Sequence, residues 1–474
     1  TQGGLVYGGG GDQPALLGGV RYGGQLGAQT FYRVFASYRA DDDSPLAGGA
    51  SARDSWEGRH GGFRVDHFSA ADTRLTWQAD TTNVRHDHDA FTADNFNTLV
   101  RWSRPFSAAA GVEVQAYYDR ASRHEPARAD THSDTIDFTA QHMFGLGERH
   151  QIIWGGGYRY VTNRLAPSSP FIQVRQADSR QQLFSAFLQD EFRLLPDRLT
   201  LTAGGKLEHN DYTGWEFQPS IRAVFKPTPA STVWAAISRS VRTPNAVEGK
   251  DVLGVTAGAP FQGPDGGFYF PTIVGNADPA AEILRTYEIG YRIHASRHVS
   301  ADLALFYNEY SKLIGVGAVT RFVPGVPFGL AETPFVNLQD GETYGGEISL
   351  TLSPVDRWRL TASYARIALR LRGGVDPTAG ETSSPKHQAV LHSSYDFNPR
   401  TSLEVQGRLV SEIPGVAAYT TADFRLAYRW TDQIEFSLVG RNLFQPQHPE
   451  LGLQQVTVTA EVPRSFYGKA TWRF

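Results

Sequence analysis

The last ten residues, Ser465–Phe474, read SFYGKATWRF. Phe466, Gly468, Ala470, Trp472 and Phe474 fall on one parity, and Ser465, Tyr467, Lys469, Thr471 and Arg473 on the other. Strict alternation of this kind marks a β-strand with one apolar and one polar face. A soluble domain commonly frays into a polar tail. Here the pattern persists to the final aromatic ring, which predicts a terminal strand paired along its whole length.

The same period recurs through the chain, and helical periodicity is nearly absent. Leu199, Leu201, Ala203, Gly205 and Leu207 alternate with Thr200, Thr202, Gly204, Lys206 and Glu208. Tyr287, Ile289, Tyr291 and Ile293 alternate with Glu288, Gly290, Arg292 and His294. Segments of this type number about 22, an even count suited to a closed up-and-down ring. They are expected at 2–9, 14–24, 28–40, 55–70, 72–84, 94–105, 109–122, 131–145, 150–163, 179–195, 198–210, 214–226, 231–243, 282–295, 298–313, 340–353, 357–371, 384–397, 400–412, 417–430, 433–443 and 463–474.

Composition narrows the class. Aromatic residues make up 12% of the 474 residues and Gly contributes 48, a mixture that suits pleated walls and turns. A net charge of -4 excludes a generic basic nucleic-acid surface, so no nucleic-acid partner is expected. With no cysteine, disulfides, thiolate metal sites and Cys nucleophiles are all excluded. No apolar run approaches the length of a transmembrane helix. The start, TQGGLVYGGGG, has neither the basic region nor the apolar core of a signal peptide.

The connections separate into two kinds. Those after even strands are short and rich in turn formers: LGER, LPDR, KPTPAS, ASR, SPVDR, FNPR and WTDQ. Those after odd strands are mostly longer, with the largest near 243–282 and 313–340. One short rim and one elaborate rim describe an outer-membrane barrel, with periplasmic turns at one end and extracellular loops at the other. Hydrocarbon cannot satisfy backbone N–H and C=O groups, so only a ring without edges survives there. The expected fold is therefore all-β: a transmembrane antiparallel up-and-down β-barrel of about 22 strands, one domain over 1–474. Phe466, Trp472 and Phe474 belong to the closing strand, which pairs with 2–9. A soluble propeller is the alternative, but it should show a repeat of roughly 40 residues, and none is found.

Several stretches resemble the TonB-dependent outer-membrane receptors. TQGGLVYGGGG, VRYGGQLG and YRVFASYR look like the first barrel strands of that family. LFSAFLQDEFRLLPDRLTLTAGGKLEHND looks like its mid-barrel hairpin, and VWAAISRSVRTPN with LRTYEIGYR like the pair flanking a long outer loop. YGGEISLTLSP, VGRNLF and YGKATWRF complete the series in family order. Family members also carry a TonB-contacting box and a plug that fills the barrel, and neither is recognised in these residues. The resemblance implies a plug that has been removed, lost with a truncated gene, or placed on another polypeptide. It further implies uptake of a ferric siderophore or similar metal chelate, by a non-enzymatic mechanism without a resident cofactor or metal. The alternative is a plug-less passive or engineered pore. A third reading, an outer-membrane enzyme, lacks any G-x-S-x-G elbow. Expected partners are outer-membrane lipid and lipopolysaccharide, the chelate, TonB through the plug alone, and the barrel-assembly machinery. Phe466, Trp472 and Phe474 would serve the last of these as insertion signal.

Candidate contacts lie on the outer loops. His86 and His88, in RHDHDAF, share a strand face and could chelate a divalent ion given a third ligand. The competing reading is a solvated loop tip, and no metal motif supports more. Arg120, Arg123, His124 and Arg128 make the fourth outer loop basic, and Arg242 lies on lumen parity atop 231–243. Such cations could focus an anionic chelate or bind lipopolysaccharide phosphate. Arg239, on lipid-facing parity, fits phosphate better. Phe268, Tyr269 and Phe270, with Arg321 and Phe322, could stack on a ligand or pack the loops together. Asp137, Gln141, Gln189, Arg222, Lys226, Glu288 and Arg292 are expected on the inner wall, where they would face the plug.

Overall fold

The computed structural model describes residues 2–69, 72–86, 90–169, 172–174, 177–249, 252–256, 258–374, 377–452 and 460–474. Among these, 22 antiparallel strands close into one barrel. Each barrel strand pairs with its sequence neighbours, and the last pairs with the first. Strand Gly3–Gly11 runs against Ser465–Arg473, from Leu5 opposite Arg473 to Gly11 opposite Tyr467. Phe474 extends the seam: its N–H donates to the Gly4 carbonyl at 3.0 Å, and its carbonyl accepts from the Gly4 N–H at 2.6 Å. The edge groups of both terminal strands are thus consumed, as the alternation of SFYGKATWRF predicts. The seam is glycine-rich for a steric reason. A Cβ on Gly11 would run into the carbonyl of Phe466, and one on Gly9 into that of Gly468.

Residues directly opposite one another in register share a face. One row runs Ile221, Ile237, Tyr287, Tyr307 and Tyr344 across five strands. Another contains Ala223, Ala235, Ile289 and Leu305. These apolar side chains point outward and stay exposed: Ile289 is 51% accessible, Phe217 56% and Leu188 59%. In water such a surface would be heavily penalised. Against lipid it is the required exterior.

The opposite parity faces the lumen and carries the charges. Asp137 is 5% exposed, and its carboxylate accepts from Arg159 Nε at 2.9 Å. Arg222 sits over the Trp234 ring at 5.9 Å, and Arg292 is paired with Asp302. Glu288 lies between Ala236 and Phe306 in register, on that same inward parity. Gln141, Gln189 and Lys226 share inward parity with these residues. On this inward parity Asp137 and Arg292 are held in ion pairs with Arg159 and Asp302.

The outer rim differs in detail from the sequence expectation. The turns after even strands are tight, as expected. Several outer connections are tight too: only 126–128 separate Ala110–Glu125 from Ala129–Leu146. The outer elaboration comes instead from strand length, since Ala129–Leu146, His150–Pro167 and Asp178–Leu195 each span 18 residues. The strand expected at 340–353 runs from Gly329 to Val355, 27 residues, so most of the supposed loop 313–340 is strand. Alternation alone could not show this, because GLAETPFVN mixes Gly, Pro and apolar residues on both parities.

Candidate functional site

At the long rim, three outer connections join into a second sheet. Ile172–Val174 pairs with Val252–Thr256, which pairs with Phe268–Val274. Tyr269–Val274 then runs parallel to Gly329–Pro334, the outer end of the long strand, and Arg321–Val323 adds antiparallel to that end. Phe261–Gln262 completes the sheet beside Tyr269. A parallel pair between two separate loops needs a long crossover. The 243–281 and 317–328 connections supply the reach.

Tyr269 is the core of this sheet. It is 2% exposed, edge-on to Phe322 at 4.9 Å, and its hydroxyl donates to Asp265 at 2.5 Å. Ala331, fully buried, and Gly329 leave room for the ring. The hydrogen bonds from the Tyr269 hydroxyl and the Gly267 N–H hold the Asp265 carboxyl below its usual value. The same bond to Asp265 raises the Tyr269 phenol. Phe270 packs against Phe328 at 5.0 Å, and Phe322 also meets Phe261. Arg321 lies 3.9 Å from Glu332. Of the aromatic candidates, Tyr269 is consumed in loop packing, whereas Phe268 remains 52% exposed.

Arg242 fastens this cap to the barrel. Its guanidinium grips Glu282, the first residue of the next barrel strand, at 2.6 and 2.7 Å. It also grips Glu248 of the loop at 2.9 Å through two nitrogens. Burial raises the Glu248 carboxyl, but hydrogen bonds from Arg242 and the Asn245 N–H outweigh this and leave it lowered. Glu282 in turn accepts from the Ile314 N–H at 2.7 Å. The lumen parity of Arg242 was legible in VWAAISRSVRTPN; its two carboxylate partners, 6 and 40 residues away, were not.

The basic fourth loop is organised differently. Arg120 shares the outward register of Tyr118 and Phe96, and its Nε donates to Asp134 at 2.8 Å. His124 faces outward opposite Asp130, with Nδ1 2.5 Å from its carboxylate. Arg123 has inward parity, pairs with Glu125, and lies over Phe91 at 4.9 Å. Arg128 at the tip stands 3.8 Å from Glu125. Arg239, outward as expected, is tied to the Phe217 carbonyl and to Glu216 at 3.4 Å. His86 packs edge-on to Phe91 at 5.1 Å, while His88 lies outside the described residues. No group of three metal-ligating side chains occurs among the described residues.

A third fastening escaped the sequence. Asn442, in VGRNLF, adopts φ 50° and is 2% exposed. Its N–H donates to Asp423 at 2.9 Å, its side-chain amide to the Val462 carbonyl at 2.8 Å, and its oxygen accepts from Thr421 at 3.0 Å. This knot anchors the 442–464 connection at the outer rim. An Asn before an apolar pair is a weak signal, since Asn tolerates left-handed backbone in many contexts.

An edgeless ring with an apolar exterior, a charged lumen, one rim of short turns and one elaborated rim defines an outer-membrane β-barrel. This chain belongs to the family described as TonB dependent receptor-like, beta-barrel, which matches residues 8–443. An iron-regulated outer membrane virulence protein of Vibrio cholerae serotype O1 is 26% identical over 278 residues, covering 56% of this chain and 41% of that protein. A ferric enterobactin receptor of Pseudomonas aeruginosa is 28% identical over 144 residues, 30% of this chain and 19% of that one. The chain thus spans less than half the length of these relatives. Among solved structures, the siderophore receptor PirA from Acinetobacter baumannii superimposes with TM-score 0.82 at 15% identity, covering 100% of this chain and 81% of that one. That likeness shows the fold. The chain is an outer-membrane protein.

Proposed function

We propose that this chain is the barrel of an uptake receptor for a ferric siderophore or a similar metal chelate. The observation that carries the reading is the capped rim: three outer connections joined into one sheet and clamped to the wall by Arg242. A passive pore needs no such joined and clamped outer sheet, so the plug-less pore is the weaker alternative. Phe268, Phe322, Phe328 and Arg321 offer aromatic and cationic surface on that sheet, the chemistry that suits a flat anionic chelate. The kinship to receptors named for enterobactin and siderophores points the same way.

The mechanism is non-enzymatic. The outer loops capture the chelate, a plug in the lumen moves under force delivered by TonB, and the barrel stays a rigid wall. The inward groups Asp137, Gln141, Gln189, Arg222, Lys226, Glu288 and Arg292 are the wall that such a plug would face. A ring this wide is not filled by its own side chains. Uptake of radiolabelled iron is the test, using the complete gene in a host lacking its own siderophore receptors. Candidate siderophores should support uptake that disappears on deleting the gene or removing proton-motive force. Uptake that survives collapse of the proton-motive force would instead favour the pore.

A further inference from the structure

The wall is not equally tall around the ring. Strands Ala129–Leu146, His150–Pro167 and Asp178–Leu195 each span 18 residues. Ile434–Arg441, Ser465–Arg473 and Gly3–Gly11, which meet around the closing seam, span 8, 9 and 9. The outer half of that seam also lacks side chains on one strand: Gly8, Gly9, Gly10 and Gly11 stand opposite Ala470, Lys469, Gly468 and Tyr467. Facing side chains are a main source of strand-pair stability. Glycine also loses the most backbone freedom on ordering. This part of the closing pair therefore rests on backbone hydrogen bonds, and a terminal strand so held is where local opening starts.

The connection 442–464 stands above this low stretch of wall. Gln447–Pro449 and Glu461–Pro463 pair into a short hairpin. On one side of the seam the hairpin is seated on the inner wall. His448 is 4% exposed, with its ring 4.4 Å from that of Tyr419 and its Nε2 3.1 Å from Glu450. Arg408, on strand Thr401–Val410, lies 3.7 Å from the same Glu450 carboxylate. On the other side of the seam the hairpin meets the connection 42–55, beyond strand Thr30–Asp41. The Glu461 N–H donates to the Pro45 carbonyl at 2.8 Å, the Gln447 amide donates to the Leu46 carbonyl at 3.0 Å, and Leu46 and Ala460 form an antiparallel bridge. The receiving loop is itself braced. Asp43 accepts from the Ser51 hydroxyl at 2.6 Å and the Ser55 N–H at 2.8 Å, and Asp54 accepts from the Ser44 N–H at 2.6 Å.

We infer that the 442–464 connection is a strap that locks the outer end of the closing seam. It is held on both sides of the joint, by Tyr419 and Arg408 before it and by Pro45 and Leu46 after it. It thus supplies across the seam the tertiary contacts that Gly8–Gly11 cannot make. The first and last strands can part at their outer ends only once the strap has left the 42–55 loop. The inference does not depend on the uptake reading and can be tested without it.

The chain has no cysteine, so a staple can be placed where it is wanted. A Leu46→Cys/Ala460→Cys variant is folded in detergent micelles and oxidised, and amide exchange is followed along the chain by mass spectrometry. The disulfide should form readily, because the two residues face each other in a bridge. Closing it should slow exchange over 3–11 and 465–473 at least about tenfold against the reduced protein. A Thr131→Cys/Leu165→Cys staple, across a register pair on the tall side of the rim, should leave the seam as it was. Gln447→Ala with His448→Ala should speed seam exchange about tenfold, the scale of a lost buried hydrogen bond, while 150–195 stays protected. A first pair that stays reduced, a seam unmoved by closing it, equal slowing by both staples, or unchanged seam exchange in the double alanine variant would each overturn the strap. The last of these would mean that the connection merely rests on the rim.

Discussion

At the scale of single residues, the capped rim depends on two anchors. Tyr269 is buried among Phe322, Ala331 and Gly329. Removing a buried aromatic side chain costs about 3–5 kcal/mol. Tyr269→Ala should therefore unravel the loop sheet while the barrel persists, seen as fast amide exchange over 261–274 and 321–334 with the strands still protected. Arg242→Ala leaves Glu248 and Glu282 facing each other; about 1–2 kcal/mol is expected, given a half-exposed guanidinium. Exchange should rise through 245–281, and chelate affinity should fall with it. Acid should act on the same anchors. The folded pKa of Asp265 and of Glu248 is depressed, so each contributes stability above its ordinary value, 3.8 and 4.5, and loses it as pH falls through the lower folded value. Limited proteolysis below about pH 4 should cut the outer loops before the barrel opens, with the loops resistant at pH 7. Parity alone placed Arg242 in the lumen, but could not distinguish a ligand-facing cation from a clamp. That distinction rests on Glu248 and Glu282, which reach it only through the fold.

At the scale of elements, the period of two carried almost everything about the wall. Ile289 and Glu288 are neighbours in sequence and face lipid and lumen respectively. An Arg at the lipid midplane costs about 2–4 kcal/mol, and lumen substitutions far less. Ile289→Arg should lower stability by that amount in denaturant titrations with lipid vesicles, while Arg292→Gln should change it little. Gly11 tests the closing pair. A side chain there meets the Phe466 carbonyl, so Gly11→Val should cut the yield of folded barrel severalfold, read as loss of the heat-modifiable band on gels. The outer rim was less legible, because its sheet joins three connections that are distant in sequence, one pair of them parallel. Local patterning specifies which face a residue takes, not which loop it will meet. FYF, Phe268–Phe270, shows the consequence. One ring is buried as a core, its predecessor is exposed, and nothing in the triplet separates them.

At the scale of the whole molecule, the fold follows from a single accounting of backbone groups. Every barrel strand has two partners, and the first and last strands supply each other's. The charges that a soluble protein would display outward are turned in, toward a lumen wide enough to need an occupant. That inversion links fold to surroundings: the exterior meets lipid, and the wall offers polar groups to whatever fills the interior. The sequence revealed the inversion because alternation survives in nearly every strand. The occupant and the cargo were beyond it, since loop contacts and lumen charge pairs such as Asp137 with Arg159 emerge only when the ring closes.

The closure itself is the claim on which the rest depends, and the absence of native cysteine makes it directly measurable. Tyr7 and Thr471 lie opposite one another across the seam, both facing the lumen, and Glu435 lies one strand beyond Thr471. A Tyr7→Cys/Thr471→Cys variant, folded in membranes and mildly oxidised, should form an intramolecular disulfide nearly quantitatively. The Tyr7→Cys/Glu435→Cys variant, two strand spacings or about 9–10 Å across, should not. A folded, membrane-inserted protein in which the first pair stays reduced, or both pairs link equally, would contradict the sealed barrel.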